Sequence, residues 1–222
     1  PAGRLADVPA EWDYDGDGIW QGFVSDAYFN FDAGGFDQTP EGKLTGWRAF
    51  AYYPFPSTHW PTNGATADVL IRLAEPFRRN LEGELDLAVY KTNLAIVEAL
   101  IRRRDVAIEP VDEAALGDVD LDGDGQVGTS KRVKYDWAPL QGRTMSYGQA
   151  LAEQRAGRVH LAAGLYPEGT EFLQTLRYID LGSSGENRLA ARLKEVRYAR
   201  KRYWMTYADL EIQAAEEVKE KH

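Results

Sequence analysis

The stretch DLAVYKTNLAIVEALIRRR, residues 86–104, has the clearest periodic pattern of the chain. Its large apolar residues recur at steps of three and four, which places them on one face of a helix. They are Leu87, Tyr90, Leu94, Val97 and Ile101. The arginines 102–104 stand at the end of the stretch, where cations interact favourably with the helix dipole. The pattern predicts a helix that follows Asp86 and packs against the core.

Three further segments have helix signals. Thr66 is a suitable N-cap ahead of the apolar run 68–73, whose pattern ends near Pro76. Residues 147–157 predict a short helix. Thr206 is the expected N-cap of a last helix, whose apolar face would consist of Tyr207, Leu210, Ala214 and Val218. The chain is therefore expected to contain several helices.

The remaining patterns predict strands around these helices. The segments with strand character are 131–137, 159–163, 171–179 and 193–198, the last being also compatible with a helix. Residues 1–64 are rich in aromatic residues, glycine and proline, which indicates loops and short strands. We expect an α+β fold with a small antiparallel sheet in a single domain, 1–222, with an aromatic region 1–64, a helical region 65–117 and a mixed region 118–222.

A short acidic motif occurs twice, as DYDGDGI at 13–19 and as DLDGDGQ at 120–126. Carboxylates at positions 1, 3 and 5, a glycine at 6 and a backbone carbonyl at 7 are the opening of a calcium-binding loop. Three anions so close together repel one another unless a cation lies between them. The predicted ligands of two Ca²⁺ ions are Asp13, Asp15, Asp17 and the carbonyl of Ile19, and Asp120, Asp122, Asp124 and the carbonyl of Gln126.

Neither loop is a complete EF-hand. Position 12, which holds a bidentate glutamate in an EF-hand, is Val24 in the first loop and Lys131 in the second. Asp26, Asp118 or a carboxylate from elsewhere in the fold could complete the two shells. The alternative is a pair of solvated acidic turns, since Asp and Gly both favour turns. The repetition at identical spacing favours calcium.

Composition limits the classes of function. The chain has 222 residues, 44% of them hydrophobic, and a formal charge of −9, which two Ca²⁺ ions would bring to −5. An acidic chain is a poor candidate for binding nucleic acid. The absence of cysteine excludes disulfides, zinc–thiolate sites and covalent haem within these residues.

No apolar run is long enough for a transmembrane segment, and incomplete calcium shells suit calcium-rich surroundings. We therefore expect an extracytoplasmic protein that is periplasmic, associated with the outer membrane, or extracellular.

One basic cluster stands out in the last quarter of the chain. It comprises Arg192, Lys194, Arg197, Arg200, Lys201 and Arg202, interleaved with aromatic residues. This cluster is either a docking face for an anionic partner or a solvated strand face. The candidate partner-binding residues are Arg197, Arg200, Lys201, Trp60 and His59. Only three histidines are present, and no nucleophile, phosphate-binding or dinucleotide motif occurs, so the sequence favours a role without catalysis.

Several strings resemble a family of exported bacterial c-type cytochrome-like proteins. They are WDYDGDG at 12–18, GWRAFAYYPF at 46–55 and HLAAGLYPEGTEF at 160–172, together with residues 60–73, 90–98 and 194–201. The resemblance implies Cys-x-x-Cys-His haem attachment sites outside the matched region, and this chain has none. It is then either the haem-free part of a longer polypeptide or a relative that works without its own haem. Haem c would belong to flanking sequence or to a partner.

These observations lead to two hypotheses. The first is a calcium-binding extracytoplasmic module that serves as a structural or binding subunit, with a protein partner and a place in a c-type cytochrome electron-transfer assembly. The second is a calcium-dependent carbohydrate-binding or glycan-active domain, in which the aromatic residues would stack on sugars.

Overall fold

The computed structural model describes residues 16–18, 26–49, 64–139 and 145–219. The strands are β1 (Phe36–Gln38), β2 (Leu44–Ala49), β3 (Gly64–Arg72), β4 (Val106–Asp112), β5 (Thr129–Val133), β6 (Glu171–Leu181) and β7 (Asn187–Arg200). The helices are α1 (Leu87–Arg102), α2 (Gly148–Arg155) and α3 (Tyr207–Lys219), with a 3₁₀ helix at Glu75–Arg78. The chain divides into two compact units, Pro1–Ala49 and Phe50–His222.

The first unit contains the antiparallel hairpin β1–β2, in which Phe36 pairs with Arg48. Phe36 and Trp47 are buried. Asp37 is also buried, and its carboxylate accepts hydrogen bonds from the Asn30 amide at 2.9 Å and the Thr45 hydroxyl at 2.8 Å. A buried carboxylate with several donors costs far less than an unpaired one, so this residue organises the hairpin.

The second unit is built on antiparallel strands, with β6 between β3 and β7. Leu70 of β3 pairs with Leu173 of β6, and both are buried. Strands β6 and β7 form a long hairpin of 11 and 14 residues. Strands β4 and β5 form a separate two-stranded antiparallel sheet.

Helix α1 begins where the sequence predicts. The carboxylate of Asp86 accepts hydrogen bonds from the amides of Ala88 and Val89 at 2.8 and 3.0 Å, which satisfies two donors of the first turn. Inside the unit, Asn93 joins three segments. Its amide nitrogen donates to the Phe77 carbonyl at 2.9 Å, and its oxygen accepts from the Tyr147 amide at 2.7 Å. Helix α1 is thereby fixed to the 3₁₀ helix and to the start of α2.

The predicted α+β fold class is wrong, because the secondary structure of the described residues is mostly antiparallel β-sheet. Seven strands in antiparallel pairs and three helices are present in the ranges that the structure describes. The expected helix after Thr66 is strand β3, which pairs with β6 from Gly64↔Tyr178 to Arg72↔Glu171. A short apolar run such as 68–73 fits a buried strand as well as a helix, and the pairing with β6 decides between them.

The other element predictions had mixed outcomes. The predicted strand 159–163 is wrong, because that segment has one isolated bridge, Ala162↔Leu165. The predicted helices at 147–157 and after Thr206 are confirmed as α2 and α3. The strands predicted at 171–179 and 193–198 are confirmed but are longer, and the strand predicted at 131–137 covers only the end of β5. Among the described helices, none has the length and apolar character needed to cross a bilayer.

Candidate metal site

The second acidic motif lies in the loop that joins β4 to β5. The pairs Val111↔Ser130 and Asp112↔Thr129 close the two ends of this loop. Within it, Val119 and Leu121 are buried, while Asp120 between them is only partly buried. Because neighbouring residues of an extended chain point to opposite sides, burial of the two apolar residues turns the carboxylate of Asp120 towards the surface.

Three carboxylates converge in this loop. One oxygen each of Glu113, Asp120 and Asp122 lies within 4.8 Å of the other two. Two oxygens bound to one Ca²⁺ at ~2.4 Å cannot be further apart than ~4.8 Å, so this spacing fits a shared ion. All three candidate ligands are hard carboxylate oxygens, which calcium and magnesium prefer.

Glu113 immediately follows β4 and is buried, with a relative exposure of 2%. One of its oxygens accepts from the Leu121 amide at 2.6 Å and the other from the Gly128 amide at 2.9 Å. The side chain therefore ties the acidic motif to the start of β5. The carboxylate oxygens retain lone pairs that could bind a cation beside these hydrogen bonds.

Asp120 organises the turn of the motif. One oxygen accepts from the amides of Gly123 at 2.7 Å and Asp124 at 3.1 Å, and the other accepts from the Gly125 amide at 3.0 Å. Gly123 and Gly125 have φ angles of +67° and +85°, in the left-handed region that favours glycine. These bonds fold the motif into a tight turn around the Asp120 carboxylate.

The surrounding potential is negative. Tyr147 is buried and donates its hydroxyl proton to the Val119 carbonyl at 2.9 Å. Burial raises the pKa of this phenol well above its usual value, and the charges of Glu113 and Asp120 raise it further. One cationic side chain lies beside the motif, since the ammonium of Lys134 is 3.5 Å from the Gly123 carbonyl.

Two further acids of the second loop, Asp124 and Asp118, are not part of this group of three carboxylates. Asp124 is exposed, and its carboxylate accepts from the Gln126 amide at 2.7 Å. Asp118 is exposed at a φ of +58°, and it does not belong to the group. Glu113 was not among the residues named from the sequence, because it precedes Asp120 by seven residues and only the β4–β5 pairing brings it to the motif.

Little of the first motif falls within the described residues. Asp13, Asp15 and Ile19 lie outside them, whereas residues 16–18 are described and exposed. Gly16 and Gly18 have φ angles of +72° and +69°, and they correspond in the motif to Gly123 and Gly125. The two motifs thus share a backbone conformation at both glycines. Asp26 accepts a hydrogen bond from the Trp47 indole at 2.9 Å.

The candidate partner-binding residues fall into two groups. Trp60 and His59 lie outside the described residues. Arg197 and Arg200 are exposed on β7, and Arg197 forms a salt bridge with Glu195 at 2.5 Å. The ammonium of Lys201 lies 4.9 Å from the centre of the Trp204 ring, and partial burial lowers its pKa. Three of these five residues therefore lie at or just after the end of β7.

Comparison with known proteins connects the chain to lipoproteins. Residues 1–221 match the sequence profile of a family described as "-like lipoprotein". A relative from Aquifex aeolicus (strain VF5), "Uncharacterized lipoprotein", is 34% identical over 195 residues, which cover 86% of this chain and 28% of the relative. The chain thus spans less than a third of the length of that relative. No solved structure is significantly similar to the chain.

Proposed function

This chain belongs to the "-like lipoprotein" family, and from that premise we propose that it is a calcium-binding module of an exported protein. A lipoprotein family indicates export. Neither the family description nor the name of the relative mentions cytochrome c. The expected extracytoplasmic location suits the metal, because weak calcium sites fill where calcium is abundant. The module would act as a structural or binding subunit.

The observation that carries this proposal is the convergence of Glu113 with Asp120 and Asp122. Three like charges at such short separations are unfavourable, although backbone amides offset part of that cost. A divalent cation would remove the repulsion and would supply the bonds that the carboxylates do not make with amides. We expect Ca²⁺ and not Mg²⁺, because Ca²⁺ accepts a variable number of oxygen ligands whereas Mg²⁺ requires a near-octahedral shell.

Isothermal titration calorimetry with Ca²⁺ tests the site. We expect saturable binding to the wild-type protein and a loss of about tenfold or more in affinity at this site for Glu113→Gln and for Asp122→Asn, since each removes a ligand charge. Asp118→Asn is the matched control, because Asp118 is an exposed acid beside the motif but outside the group. Equal affinities in all three variants and the wild type would refute the proposal.

Two finer hypotheses about the role of the module stay predictions. A place in a c-type cytochrome assembly would require a haem-bearing partner, with haem outside this cysteine-free chain. A carbohydrate-binding role would require glycan binding that calcium chelation abolishes. Co-purification of a Soret absorbance with the module distinguishes the first role, and binding to a glycan array with and without EDTA distinguishes the second.

A further inference from the structure

The charge of this acidic chain is unevenly distributed. Residues 187–204, which cover β7 and the segment after it, contain seven Lys or Arg residues and one Glu, a net charge of +6. The whole chain has a formal charge of −9, so the other residues together carry −15. We name residues 187–204 the basic strand segment.

Several cations of the basic strand segment are available to a partner. Arg192, Arg200 and Arg202 are exposed, and none forms a salt bridge with a residue that the structure describes. The pairing of β7 is with β6, on one side of the strand. A strand of 14 residues extends over about 45 Å, so these charges form an elongated surface and not a single pocket.

Exposed apolar and aromatic side chains accompany these cations. Tyr203 is 73% exposed, and Tyr198 and Val196 are 49% and 48% exposed. The neighbouring strand contributes Tyr178, whose ring lies 5.3 Å from the Arg192 guanidinium carbon and 5.7 Å from the Lys194 ammonium. Basic residues interleaved with tyrosine are typical of protein surfaces that enter the headgroup region of a bilayer.

We propose that the basic strand segment lies against the anionic headgroups of a phospholipid membrane. The positive charge of the segment complements a surface of phosphate groups, and an elongated strand contacts many headgroups at once. Membership in a lipoprotein family places the protein where such a surface is present. An acidic protein is the competing occupant, but the exposed tyrosines and the extended shape of the segment favour the lipid surface.

The test is co-sedimentation of the protein with vesicles of phosphatidylcholine alone and of phosphatidylcholine and phosphatidylglycerol at roughly 7:3. We expect binding to the anionic vesicles that weakens as salt increases. The triple variant Arg192→Gln, Arg200→Gln, Arg202→Gln should bind about a hundredfold more weakly, because each surface cation contributes roughly fivefold.

The control is the triple variant Lys43→Gln, Lys91→Gln, Arg155→Gln, which removes the same charge from exposed positions outside the segment. It should bind like the wild type. All measurements are made in calcium and repeated in EDTA, and circular dichroism verifies that each protein is folded. Comparing the two conditions separates an effect of the calcium site from an effect of the basic strand segment. Equal weakening in both triple variants, equal binding to neutral vesicles, or binding to polyglutamate but not to vesicles would overturn the proposal.

Discussion

At the residue scale, Gly148 occupies a position that other residues should not tolerate. It begins α2 at a φ of +62°, and a Cβ there would lie 2.1 Å from the Arg79 carbonyl oxygen. That oxygen accepts a hydrogen bond from the Gln149 amide at 3.1 Å, so the close approach fixes α2 to the 3₁₀ helix region. We expect Gly148→Ala to lower the free energy of unfolding by about 2–5 kcal/mol, from overpacking and left-handed strain together.

Gly157→Ala separates the two contributions to that loss. Gly157 has a φ of +73°, and a Cβ at this position would meet nothing within 4 Å. We expect Gly157→Ala to lower the free energy of unfolding by only the strain of the left-handed conformation, about 1–2 kcal/mol. Urea denaturation of both variants gives the comparison, and equal losses would show that the contact with Arg79 does not matter.

At the scale of elements, the sequence predicted secondary structure best where the N-cap residue and the hydrophobic period indicate the same element. Helix α1 has a 3.6-residue period and an aspartate cap, and it forms where the pattern indicates. Strand β3 was predicted as a helix because a threonine before an apolar run also resembles a cap, and its pairing with a strand about 100 residues later leaves no local signal. The length of the β6–β7 hairpin was underestimated because apolar and polar residues do not alternate near its turn, where residues 189–191 are three apolar residues in a row.

The cap of α3 makes the stability of that helix dependent on pH. The amide and hydroxyl of Thr206 donate to the Asp209 carboxylate at 2.9 and 2.7 Å, and these bonds lower the pKa of Asp209 below its ordinary value of 3.8. A carboxyl group whose pKa is lower in the folded state stabilises that state at pH values above its ordinary pKa. This contribution is lost as the pH falls through the folded-state pKa. We expect the first turn of α3 to fray below about pH 3.8, seen by NMR as lower protection of its amides relative to their intrinsic exchange rates at each pH.

Asp209→Asn should fray at neutral pH and show little further change on acidification. Glu211→Gln removes an exposed acid from the same helix and serves as the control, with wild-type behaviour expected. If Glu211→Gln changed the exchange of the first turn as much as Asp209→Asn, the cap would not be the cause.

At the scale of the whole molecule, the sequence predicted the acidic motif but not the group that forms around it. The spacing of Asp120 and Asp122 was visible because both lie on one turn. Glu113 was not visible because it lies at the start of the β4–β5 loop, seven residues before Asp120, and only the closing of that loop by the strand pair brings it to the motif. A candidate ligand set that depends on which strand ends meet cannot be derived from spacing within a motif.

Calcium should therefore contribute to global stability. If each motif binds one ion, each adds about 2.7 kcal/mol to the free energy of unfolding at a calcium concentration of one hundred times Kd. We expect the urea midpoint to fall when EDTA replaces calcium, with no change in the slope of the transition, because the same surface is exposed on unfolding. Asp120→Asn should lose only the part of this increment that belongs to the second motif, while Asp118→Asn keeps all of it. A midpoint that is the same in calcium and in EDTA would show that amide hydrogen bonds alone stabilise these carboxylates.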